Sequence, residues 1–166
     1  MTREEFNKCA EVYSDYVFRF ILKNISDYAS AEDIVQEAYE KMWLRHEDID
    51  FQKAKSYLFA CAYSTMIDYL RKNHDKILQP LEPDLNIIQE SFPQFSGVKE
   101  ALEFALKRLP AEQRSVIVLR DYEGYSYEEI SQITSLSLSA VKVYIFRGRV
   151  AMKKMLEKLG ATVNEF

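Results

Sequence analysis

Apolar positions recur along this chain at steps of three and four, the spacing of one face of a helix. Three such stretches fill the first half, over residues 3–23, 31–45 and 55–73, parted by short polar or acidic joints around 24–30 and 46–53. From 76 to 97 the periodicity collapses. That segment holds three of the four prolines, too many for a continuous helix, and reads as a linker. Helical spacing resumes at Val98, Leu102, Ala105 and Leu109, and Pro110 stands where a proline opens the next helix. Ser126 followed by Glu129 is a capping box, and Tyr127, Ile130 and Ile133 follow at helical steps. Ser135-Leu136-Ser137 breaks the pattern, and Val141, Ile145, Met152, Met155 and Leu159 restore it. The pattern predicts an all-α protein: two small helical domains, 1–75 and 98–166, joined by a Pro-containing linker over 76–97.

Composition agrees. The chain has 166 residues, 48% of them apolar, which is enough for packed cores, and only four glycines and four prolines. No segment approaches the roughly 18 consecutive apolar residues of a membrane span. The charged start, MTREEFNKC, lacks the apolar core of a secretory signal. A cytoplasmic protein is expected. Cys9 and Cys61 form no CxxC pair and have no neighbouring His, so neither a zinc site nor a disulfide framework is indicated. The chain has no Gly-rich phosphate loop, nucleophile elbow or metal-spaced ligand set, and His46 and His74 are isolated. We expect no catalytic residues, no metal and no cofactor, hence no enzyme.

Charge changes the picture more. The formal net charge of −4 argues against a generic nucleic-acid binder. It conceals an asymmetry. Residues 1–75 carry ten Lys and Arg against fourteen Asp and Glu, whereas 97–166 carry eleven against nine. Between residues 137 and 158 there are six bases and one acid. An acidic half and a locally basic half suggest two different partners.

Three segments carry candidate chemistry. In AEDIVQEAYEKMW, residues 31–43, Asp33, Gln36, Glu37 and Glu40 share one helix face, opposite Ile34, Val35, Ala38, Met42 and Trp43. Ser30 and Asp33 resemble a capping box, so Asp33 has a purely local reading as well. Like charges four apart destabilise a helix by roughly 0.2–0.5 kcal/mol per pair. Such a face is tolerable when solvated and makes more sense under a basic partner. Residues 48–73 combine Phe51, Tyr57, Phe59, Tyr63 and Tyr69 with Lys53, Lys55, Arg71 and Lys72, and Lys76 follows just beyond. Those rings either fill a core or stack on unpaired bases, and the cations can neutralise phosphates. The final third has the layout of a helix-turn-helix DNA reader. Its last helix has one apolar stripe, with Lys142, Arg147, Arg149, Lys153 and Lys154 between the apolar positions.

Together these segments resemble a bacterial sigma factor of the small, extracytoplasmic-function type within the sigma-70 family. The resemblance spans nearly the whole chain, in the family's order. Asp33, Gln36, Glu37 and Tyr39 match its D-x-x-Q-[ED]-x-F signature, with Tyr for Phe. KSYLFACAYSTMIDYLRKN resembles its promoter-melting helix, ending in Asp68, Arg71 and Lys72. Leu109, Pro110, Arg114 and the run 124–129 resemble the start of its second conserved domain. AVKVYIFRGR, residues 140–149, resembles its T-V-K-S-R-[LI]-x-R-[AG]-R recognition helix, with Ala140 for Thr and Tyr144 for Arg. Losing that Arg removes a cation from the groove-facing helix.

The resemblance implies that core RNA polymerase binds through Asp33, Gln36, Glu37 and Glu40. It implies that the minus-10 element and its melted non-template strand meet Phe51, Lys53, Lys55, Tyr57, Arg71 and Lys72. Double-stranded minus-35 DNA would meet Ser137, Ser139, Lys142, Tyr144, Arg147, Arg149 and Lys153. Restraint by an anti-sigma factor is also implied, and no small-molecule substrate. The rivals are a helix-turn-helix regulator of the response-regulator output type without polymerase binding, and an all-helical module whose basic helix grips an acidic protein. The acidic and aromatic segments separate the first rival, and steep salt dependence of DNA binding separates the second.

Overall fold

The computed structural model describes residues 1–73 and 97–160, and every regular element among them is helical. The predicted linker lies outside the described residues except for Gly97. Three helices build the first unit: α1 (Arg3–Ile25), α2 (Tyr28–Trp43) and α3 (Ala54–Lys72). Thr2 starts α1 with a full capping box. Its hydroxyl accepts from the Glu5 backbone N–H at 3.1 Å, and the Glu5 carboxylate accepts from the Thr2 N–H at 2.8 Å.

One boundary differs from expectation. The sequence places the start of the second helix near Ser30 and Asp33, but α2 begins at Tyr28 under Asp27, whose carboxylate accepts from the Ser30 N–H. Asp and Ser are comparable caps, and the earlier one wins because α1 has already ended in a left-handed Ser26, at φ 57°. Asp33 therefore stands on the exposed face of α2 rather than at its cap.

The buried positions follow the predicted spacing. Ala31, Ile34, Ala38 and Met42 line the inner face of α2, and Val17, Phe20 and Ile21 that of α1. Phe20 and Phe59 are fully buried, with ring centroids 5.5 Å apart. Each such ring contributes about 1.5–3 kcal/mol by leaving water. Helix α3 is buried over a wider arc than one contact needs, including Leu58, Phe59, Ala62, Tyr63 and Met66. It packs against α1 and α2 on one side and against the second unit on another.

The second unit comprises α4 (Val98–Lys107), α5 (Ala111–Ile117), α6 (Tyr127–Thr134) and α7 (Leu138–Lys158). After α5 the chain widens into one π turn, Val118–Tyr122, and Gly124 at φ 75° redirects it toward α6. Half of the predicted capping box is present: the Ser126 hydroxyl accepts from the Glu129 N–H at 3.1 Å, but the Glu129 carboxylate accepts from that same hydroxyl at 3.2 Å rather than from the Ser126 backbone N–H. Ser135 at φ 60° ends α6, and Ser137 caps α7 by accepting from the Ala140 N–H at 3.1 Å. Between them the Ser131 hydroxyl donates to the Leu136 carbonyl at 2.6 Å, which pins the turn. Helix α7 buries Val141, Ile145, Met152 and Met155, as its spacing predicts.

The two units share one continuous buried cluster. Helix α3 lies on α6, while α1 meets α4 and α5. Across this seam the Ser115 hydroxyl donates to Asn24 Oδ1 at 3.0 Å, with both side chains buried. Arg19 donates twice to Glu123, each bond 3.3 Å long, and Tyr125 meets Phe59 edge-on with centroids 5.2 Å apart.

Candidate functional site

Three surfaces receive the residues singled out by sequence. On α2, Asp33, Gln36, Glu37 and Glu40 are all exposed on one face. The face is partly self-compensated. Glu37 pairs with Lys41 at 2.9 Å, and Gln36 donates to Glu40 at 3.5 Å. Lys41 also donates to Thr65 on α3 at 2.8 Å, which fixes the side of the face nearest the core. Tyr39 turns inward. Its hydroxyl shares a 2.9 Å bond with Ser14, its ring meets Phe6 edge-on, and burial raises its pKa. Trp43, expected on the inward face opposite the acids, is instead 40% exposed at the end of α2, next to Leu44, which is 82% exposed.

The second surface lies along α3 and its approach. Lys53, Arg71 and Lys72 are exposed, and Arg71 stands 3.8 Å from Asp68. Phe51 and Tyr57 are half-buried against the core. Phe59 and Tyr63 belong to the core itself, so in this arrangement they are not stacking platforms. Burial pushes the Tyr63 hydroxyl up to about 12. Lys55 sits among three rings, 5.8 Å from the centroid of Tyr13, 5.5 Å from that of Tyr16 and 5.1 Å from that of Tyr125. The last ring belongs to the second unit. A cation over tyrosine faces gains about 0.5–1 kcal/mol per pair at exposed sites.

The third surface is the outer side of α7. Ser139, Lys142, Arg147 and Lys153 are exposed there, and Ser137 is occupied as the cap. Arg149 is held by Asp121 through bonds of 2.6 and 3.2 Å, which raise its pKa. Tyr144 is half-buried against the shared core. The sequence reading missed Val143, Phe146 and Val150, which project outward with exposures of 42%, 69% and 37%. Their signal was available in the chain, because Ser139, Val143, Phe146 and Val150 follow steps of four, three and four. The seam partners Arg19, Asn24, Ser115 and Glu123 left no local trace.

No helix among the described residues is long and apolar enough to cross a membrane. Comparison with known proteins assigns a family to each unit. The model of Sigma-70 region 2 matches residues 9–75, and that of Sigma-70, region 4, matches residues 99–152. Among full-length relatives, RNA polymerase sigma factor SigZ of Bacillus subtilis is 30% identical over 143 residues, covering 83% of this chain and 79% of that protein. The ECF RNA polymerase sigma factor SigM of the same organism is 29% identical over 154 residues, with 89% and 93% covered. The sigma factor RpoE of Bartonella quintana, solved with the anti-sigma factor NepR, superposes with a TM-score of 0.73 at 21% identity. That match covers 93% of this chain and 98% of the other.

Proposed function

Because this chain belongs to the extracytoplasmic-function group of sigma-70 RNA polymerase sigma factors, and so directs transcription initiation by core polymerase, we propose how its residues divide that work. Residues 1–75 bind core RNA polymerase and open the minus-10 element, 76–97 link, and 98–166 read the minus-35 element. The helix-turn-helix regulator without a polymerase role is set aside, since it has no counterpart to region 2.

Polymerase binding falls to Asp33, Gln36, Glu37 and Glu40. The observation that carries this is their simultaneous exposure on one face of α2 in the region-2 unit. A basic polymerase surface gives that face the counter-charge that Lys41 alone does not supply. Phe51, Lys53, Lys55, Tyr57, Arg71 and Lys72 handle the minus-10 strand: cations hold phosphates and aromatic rings take splayed bases, each stack worth about 1–3 kcal/mol. Lys142 and Ser139 reach base edges from the start of α7. Arg147 and Lys153 hold phosphates. Ser137, Arg149 and Tyr144 act at second hand, as cap, as brace to Asp121 and as packing against the shared core. The chain supplies no reacting group and is no enzyme. It works in the cytoplasm, where polymerase and promoters are. An anti-sigma factor is a fitting further partner, as RpoE of B. quintana has one in NepR.

Titration of the full chain into labelled core polymerase tests the reading. One-to-one binding is expected, and Glu37→Lys should weaken it about tenfold or more. The variant keeps its fold, because the lost Glu37–Lys41 pair contributes only about 0.2–0.5 kcal/mol. Wild-type affinity in the folded variant would remove the acidic face from the polymerase contact.

A further inference from the structure

The outward face of α7 is apolar where a phosphate-binding helix has no need to be. Val143, Phe146 and Val150 form a stripe there, in line with Ser139 at its start, while the helix buries a different set on the opposite side. None of the three belongs to the core cluster. Val143 and Val150 are also poor choices for helix propensity, so neither packing nor local structure accounts for them. Cations bracket the stripe. At 100° per residue, Lys142 and Lys153 fall along one edge and Arg147 and Lys154 along the other, all exposed.

We propose that Val143 and Phe146 read thymine methyl groups in the major groove of the minus-35 element, so that this chain recognises part of its promoter by apolar contact. The inference rests on the minus-35 role of α7 proposed above. The flanking cations select the occupant. A strip of apolar side chains between two rows of positive charge matches a groove floor carrying methyl groups between two phosphate backbones, whereas a hydrophobic protein partner gains nothing from those rows. In the major groove, the C5 methyl of thymine is the one apolar group that base edges present. Along α7 the two residues are separated by about 4.5 Å of rise, on the order of one base-pair step. Both lie in the N-terminal half of the helix, which reaches base edges in this motif, whereas Val150 lies about 10 Å further along than Val143 and leaves the floor. Val143 also occupies the position where the recognition pattern of the family carries Ser, a hydroxyl replaced by a branched hydrocarbon.

The experiment uses the full chain assembled with core polymerase. Duplexes are first selected from a randomised pool. Each thymine in the region bound by α7 is then replaced singly by uracil, which removes one methyl and keeps every hydrogen-bonding group. At two thymines the replacement should weaken binding about fourfold, the value of burying one methyl group. Val143→Ser should abolish sensitivity to uracil at one of them and Phe146→Ala at the other; both residues are exposed, so the variants retain the fold. Equal affinity for thymine and uracil duplexes overturns the proposal while leaving minus-35 binding intact. Uracil sensitivity that persists in both variants assigns the methyl contacts elsewhere and also overturns it. Failure to enrich any duplex rejects the DNA-reading role of α7, and this inference with it. Concentration-dependent self-association lost in Phe146→Ala would show the stripe to be a contact between copies of the chain, and would count against it.

Discussion

Cys9 is 1% exposed on the inner face of α1, and burial raises its thiol from the ordinary 9.0 to about 11. Tyr63 follows the same rule, its hydroxyl pushed from 10.0 to about 12. Both groups are neutral in the folded protein at a pH where the unfolded chain has already ionised. The unfolded chain then binds fewer protons, so stability falls as pH rises through that interval. Stability should hold up to about pH 9, decline between 9 and 11 through Cys9, and decline further toward 12 through Tyr63. Urea unfolding followed at successive pH values checks this. In Cys9→Ala the midpoint should be lower throughout, and the part of the decline that begins near pH 9 should shrink to what Cys61 contributes, whose thiol burial also raises. Single residues were also where sequence was most and least informative. Ser126 was legible as a cap because its partner Glu129 is three residues away. Asp27 was missed because Ser30 offers a competing cap in the same stretch, and only the end of α1 decides between them.

At the scale of elements, the helix-turn-helix depends on how closely α7 crosses α5. Gly148 marks the crossing: a Cβ there would stand 3.0 Å from Ile117 Cγ1 and 3.2 Å from its Cδ1. Ile117 is itself 1% exposed, so little space remains for it to yield. A branched side chain forces the helices apart, and Gly148→Val should cost about 1–3 kcal/mol by overpacking. Thermal unfolding of the variant reads this directly, and an unchanged melting temperature would contradict it. The buried stripe of α7 was legible because its steps stand out against polar neighbours. The outer stripe was not, because a helix with apolar groups on both sides offers two faces, and periodicity alone prefers the longer one. Likewise Phe59 and Tyr63 cannot be told from exposed rings until α6 is known to lie on α3.

The two units are closed across the seam, and under the proposed division of the promoter between them they must part for both elements to be bound. Minus-10 and minus-35 elements stand about 25 base pairs apart, or about 85 Å at roughly 3.4 Å per step. Phe59 and Tyr125 are 5.2 Å apart. Dyes on exposed Glu32 and Lys154 should therefore transfer energy efficiently in the free chain and poorly once polymerase and promoter are bound. Undiminished transfer in the promoter complex would rule out separation. Nothing in the sequence announced the closed form: Ser115 and Asn24 are 91 residues apart, and Ser and Asn pair with many neighbours. Lys55, held among Tyr13, Tyr16 and Tyr125, then takes on a second meaning. Under its proposed role at the minus-10 strand, a phosphate and the Tyr125 ring compete for one ammonium group. Thermodynamic reciprocity makes the rivalry symmetrical: whatever factor closure takes from strand affinity, the strand takes from closure. The chain thus carries its own competitor, tethered and present at one copy per molecule, and dilution cannot wash it away.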